Sequence, residues 1–204
     1  MLENKRIMTV LAHEDDETLG CGGTLNRFNK QNICCAIPIT RIEEQRKSAL
    51  KTLGIQNCIM GTFDDNQLDK YPLLEITKWV SSCIDKFNPE VIITHCRNCT
   101  NQDHRVLHEA SVIATRPLKN HIQLLSCEIP SSTGYLRPTN FEPNYYVELS
   151  PDNILKKMKA VENYVTELRK CRSPEVISAL ARVRGAESGY DYAEGFQVIR
   201  SYET

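Results

Sequence analysis

Residues 10–24 read Val-Leu-Ala-His-Glu-Asp-Asp-Glu-Thr-Leu-Gly-Cys-Gly-Gly-Thr, an apolar run that ends in His13, Glu14, Asp15, Asp16 and Glu17. Like charges this close repel one another. The cluster therefore makes sense mainly around something positive, most economically a divalent cation. A solvated turn leading into a helix would use the same residues, with Asp15 or Asp16 as the cap and Glu17 in the first turn. A second acid–histidine cluster follows ninety residues later, where Asp103, His104 and His108 sit at helical spacing and the two histidines share a face. Each histidine alone is more often a cap or a solvated side chain than a ligand. Two such clusters, each following a strand of one parallel sheet, would converge on one rim. One ligand set is then His13, Asp16 and His104. Two imidazoles and a carboxylate suit zinc with a position left open for water, and iron(II) is the alternative.

The elements that would position these groups alternate. Residues 5–12, 33–40, 55–61 and 90–95 read as strands, and 18–29, 42–53 and 72–87 as helices. The alternation predicts an α/β fold, a Rossmann-like three-layer α/β/α arrangement with a mostly parallel sheet and ligands at the carboxyl ends of its strands. Gly20, Gly22 and Gly23 open the first helix, but their spacing is wrong for a dinucleotide fingerprint. Residues 122–129 and 145–149 form a short β extension, separated by a hydroxyl-rich loop at 130–135 that could line a pocket. Helices follow over 153–169 and from Ser173 to about Gly185, and the remainder, through Phe196, reads as a tail docked on the core.

A chain of 204 residues without an interior linker or repeat is expected to form one domain, 1–204. With 25 basic and 26 acidic residues and no basic block, nucleic acid is an unsuitable partner. No apolar run is long enough for membrane insertion and no signal-peptide pattern opens the chain, so a cytoplasmic location is expected. Nine cysteines in no framework spacing fit reduced thiols. Cys96 and Cys99 form a lone C-x-x-C, the spacing of a redox or zinc half-site, but no second pair accompanies it and two ordinary thiols at a strand end are expected.

The motifs also resemble a known family. Ala12-His-Glu-Asp-Asp-Glu17 is similar to the A-H-P-D-D-E signature of the LmbE/PIG-L zinc-dependent N-deacetylases, with Glu14 in place of proline. Phe63-Asp-Asp-Asn-Gln-Leu-Asp69 resembles F-P-D-N-x-L-D, and Thr94-His95 with Asn101-Gln-Asp-His-Arg105 resembles T-H and N-x-D-H-R. Glu128-Ile-Pro-Ser-Ser-Thr133 resembles E-x-P-S-S-T, and Arg184-Gly185, Gly189 and Tyr192-Ala-Glu194 resemble the terminal pattern. The resemblance implies that His13, Asp16 and His104 bind zinc, that Asp15 is the general base toward a zinc-activated water, and that Asp103 orients His104 or a neighbouring donor. It also implies an arginine at the reaction centre, for which Arg41 is the candidate and Arg46 the alternative register.

Many members of that family carry a histidine at the place of Asn101. Asparagine donates a hydrogen bond but supplies no proton. Either Asp15 returns its proton to the leaving amine, or His108 or His95 serves. The implied substrate is a small N-acetylated amino sugar or its conjugate. The alternatives are deacylation of another N-acylated small molecule, such as an antibiotic or thiol precursor, and a non-catalytic metal-binding homologue. Relatives often assemble into oligomers, so a homo-oligomer is compatible with the resemblance.

Overall fold

The computed structural model describes residues 1–118, 121–133 and 141–203. Gly134 and Tyr135 of the hydroxyl-rich loop lie outside the described residues. Strands β1 (Ile7–Val10), β2 (Ile33–Ile39) and β4 (Val91–His95) are buried along their whole length. Their near-continuous apolar sequences are what burial on both faces of a parallel sheet requires. With β3 (Asn57–Phe63), β5 (Gln123–Cys127), β6 (Tyr145–Glu148) and β7 (Ala193–Arg200) they form one seven-stranded sheet, ordered β3-β2-β1-β4-β5-β7-β6. The first five positions are parallel, and β7 and β6 are antiparallel additions.

Successive residues in each strand feed opposite faces. Ile7, Ile93 and Leu125 pack with α1 (Asp16–Arg27), α2 (Glu43–Leu53), α5 (Pro151–Glu162) and α6 (Pro174–Ser188). Met8, Ile92 and Leu124 pack with α3 (Leu73–Phe87) and α4 (Gln102–Ala114). The expected three layers are therefore present. Chain order reverses between β1 and β4, which pair with Val10 opposite Thr94. That reversal opens a crevice at the carboxyl ends of both strands, where open α/β sheets bind ligands.

The end of the chain corrects an expectation. Residues 193–200 are not a docked tail but β7, lying between β5 and β6. Glu194 and Gly195 are poor strand formers, so local propensity hides a strand that pairing on both edges sustains. Glu194 has a further task. Helix α1 is interrupted at Cys21, whose φ of −141° is not helical, and this break frees backbone amides. The Glu194 carboxylate accepts from the Gly23 amide at 2.9 Å and the Thr24 amide at 2.7 Å, while Lys157 Nζ donates to it at 2.6 Å. Glycine at 23 eases this approach, because a Cβ there would lie 3.1 Å from Glu194 Oε1 and 2.5 Å from Leu149 Cδ1.

Candidate metal centre

His13 belongs to the turn between β1 and α1, and Asp16 begins α1. His104 stands in the first turn of α4, whose N-terminus is capped by Asn101: the Asn101 side-chain oxygen accepts from the Asp103 and His104 amides at 2.9 and 3.3 Å. The crevice thus brings together residues ninety positions apart. His13 Nδ1 lies 3.0 Å from Asp16 Oδ2 and 3.1 Å from His104 Nε2, and the last two atoms are 3.1 Å apart. Three donor atoms about 3 Å from one another fit ligands at ~2.0–2.2 Å around one zinc-sized ion, with one side open. Burial works against charge on both rings, yet the carboxylates prevail. Hydrogen bonds to Asp103 and Asp16 raise His13 to about 10, and the Asp16 charge raises His104 to about 9. The neighbouring carboxylates thus favour positive charge at both rings.

A second acid–histidine trio, His13, Asp65 and Asp103, uses the other His13 nitrogen. Its Asp103 is already engaged, accepting from the Leu68 amide at 3.0 Å and the Asn66 amide at 2.8 Å. Asp103 Oδ2 lies 3.2 Å from His13 Nε2. Asp103 therefore orients His13, not the adjacent His104. The free nitrogen of His104 faces a cysteine instead: Nδ1 is 3.0 Å from Cys99 Sγ.

Asp15 is 4 % exposed beside this trio. Burial and the neighbouring Asp16 charge raise it to about 6, against the pull of Arg172. Arg172 Nη1 donates to Asp15 Oδ2 at 2.8 Å, and Nε donates to Ser131 Oγ at 2.7 Å. Arg41 crosses the mouth of the crevice, donating to Asp65 at 2.6 Å and Glu167 at 2.7 Å. Arg46 lies elsewhere, buried, with Nε 3.0 Å from Glu14 Oε1. Glu14 also accepts from the Arg41 and Ile42 amides, so it caps α2 and sets the loop that carries Arg41. Glu17 accepts from Tyr164 Oη at 2.6 Å, and burial raises it to about 7 against that bond.

His95 and His108 each have one ring nitrogen engaged. His95 stacks on His104, with ring centroids 3.8 Å apart, and its Nε2 accepts from the Ala12 amide at 2.8 Å. His108 Nδ1 donates to the His95 carbonyl at 2.7 Å. Arg172 and Glu167 are residues beside the site that the sequence reading does not single out, and Cys99, expected to be an ordinary thiol, lies against His104. The first two have no local signal, because they stand in the segment after α5 and reach the site only through the fold. The signal at Cys99 was the C-x-x-C spacing with Cys96.

Comparison with known proteins supports the family resemblance. Residues 35–115 match the family model of PIG-L, described as GlcNAc-PI de-N-acetylase. That span contains the Cys99, Asp103 and His104 half of the site. The chain is 24% identical over 234 residues to diacetylchitobiose deacetylase of Thermococcus kodakarensis, covering 96% of this chain and 83% of that protein. Among solved structures, N,N'-diacetylchitobiose deacetylase from Pyrococcus horikoshii superposes with a TM-score of 0.77 at 15% identity, covering 97% of this chain and 85% of that one. GalB, the 4-carboxy-2-hydroxymuconate hydratase of Pseudomonas putida KT2440, does so with a TM-score of 0.73 at 16% identity, covering 97% of each chain. The fold is shared, and it hosts more than one reaction. No described helix is long and apolar enough to cross a membrane.

Proposed function

We propose that this protein is a metal-dependent hydrolase that removes the N-acetyl group from an N-acetylated amino sugar or its conjugate. The observation that carries the reading is the convergence of His13, Asp16 and His104 within 3.0–3.1 Å with buried Asp15 alongside. The family match and the deacetylase relatives supply the bond and the sugar. Those three residues would hold zinc, with iron(II) the alternative for the same donor set. When bound, the metal supplies Lewis-acid polarisation of the acyl oxygen and acidifies water.

The protein residues do the rest. Asp15 accepts the proton of the attacking water, and Arg172 keeps that carboxylate in place. Asp103 fixes His13 through its far nitrogen. Arg41 is placed across the mouth to meet the sugar. The leaving amine takes its proton back from Asp15, the buried acid beside the trio, while the Asn101 oxygen is spent capping α4 and His95 and His108 each have one ring nitrogen engaged. Acetate release from N-acetylglucosamine and diacetylchitobiose, followed with and without added zinc, tests the reading. Asp15→Asn should lower the rate about 100-fold or more, and an unimpaired Asp15→Asn enzyme would overturn the mechanism. GalB favours one competing reading, addition of water to a carbon–carbon double bond on the same fold. Release of acetate in step with free amine separates deacetylation from it.

A further inference from the structure

His104 and His13 are held by different chemistry. A metal-bound imidazole gives one nitrogen to the ion and donates through the other to an outer partner, which sets its tautomer and orientation. For His13 that partner is a carboxylate, Asp103 Oδ2 at 3.2 Å. For His104 the nitrogen facing Asp16 and His13 is Nε2, so Nδ1 carries the proton, and the atom 3.0 Å away is Cys99 Sγ. Cys99 is fully buried. Its thiol has its own outlet, donating to Ser132 Oγ at 3.1 Å, and Thr133 Oγ1 approaches the same sulfur at 3.9 Å. An isolated bridge between Cys99 and Thr133 ties the two loops together. Cys99 is thus held by Ser132 and Thr133 with its sulfur against His104 Nδ1.

We propose that Cys99 is a positioning residue for the metal centre, its sulfur accepting a hydrogen bond from His104 Nδ1–H and thereby fixing Nε2 toward the ion. This rests on the ligand set proposed above. One histidine is then oriented by oxygen and the other by sulfur. The other half of the C-x-x-C pair does not share the task, since Cys96 Sγ lies 3.6 Å from Gln197 and only Cys99 meets His104.

The test is zinc affinity of the full chain, measured by competition with a chromogenic chelator, with thermal unfolding recorded on the metal-free proteins. Cys99→Ala should weaken zinc binding about 10- to 100-fold. Cys99→Ser keeps an acceptor and should stay within about threefold of wild type, as should Cys96→Ala. Nitrogen-15 NMR of zinc-loaded wild type, which needs no variant, should show His104 protonated at Nδ1. Unchanged affinity in a folded Cys99→Ala, affinity in Cys99→Ser as poor as in Cys99→Ala, or an unprotonated Nδ1 would each overturn the proposal. A wild-type chain that takes up no zinc would overturn the metal centre itself, whereas equal affinity in wild type and Cys99→Ala overturns only the role of Cys99.

Discussion

Two regions of this protein bury carboxylates, and they neutralise them differently. Near the chain's end, Glu194 is matched by Lys157 at 2.6 Å and by two backbone amides, and Glu128 is matched by Arg184 through two bonds of 2.7 and 2.8 Å. Each acid there has its own fixed cation, so the region is complete as folded. At the carboxyl ends of β1 and β4, Asp16 and Asp103 share imidazoles, and among the described residues no lysine or arginine pairs with either. Motif residues of the same type therefore divide into fasteners and a site. Asp16 and Asp103 differ from the fasteners in having imidazoles as partners, whereas even the neighbouring Asp15 has its own cation in Arg172.

Breaking each region should give opposite signatures. The largest effect is expected from Asp16→Asn, which removes a ligand carboxylate. Zinc stoichiometry by elemental analysis should fall to near zero and acetate release to about a thousandth of wild type, the scale of several kcal/mol that a metal contributes. Lys157→Met leaves Glu194 buried without its cation. Urea unfolding should show a loss of about 3 kcal/mol, with zinc content unchanged. Asp15→Asn sharpens the contrast within the site, since a rate loss of about 100-fold should come with full zinc occupancy. Loss of zinc in that variant would make Asp15 a ligand and not the base.

The smallest effect is expected at His108. Burial holds its pKa below the usual imidazole range, against the bond it makes to the His95 carbonyl. A depressed histidine costs stability in acid. Above the ordinary value of 6.5 it is neutral in both states, and as pH falls through 6.5 the unfolded chain takes up the proton first. His108→Gln should therefore flatten the fall in stability below about pH 6.5 while costing about 1 kcal/mol near pH 8. Acetate release should hardly change. A rate loss as large as that of Asp15→Asn would return the proton-donor role to His108.

Much of this protein was legible in one dimension. Strands whose runs are apolar throughout, such as Ile33–Ile39, announce themselves because burial on both faces leaves no polar position. The trio His13, Asp16 and His104 was readable because each follows a strand of a parallel sheet, and such strands deliver their ends to one edge. What local sequence concealed depends on partners distant along the chain. Strand β7 exists through its pairing with β5 and β6, Arg172 meets Asp15 across 157 positions, and Glu14, without a role when read alone, turns out to cap α2. Residue type and spacing determine which groups can bind an ion and which rim they reach. Only the tertiary structure decides which nitrogen of each histidine faces inward, because that depends on what stands behind the ring: Asp103 behind His13, and Cys99 behind His104.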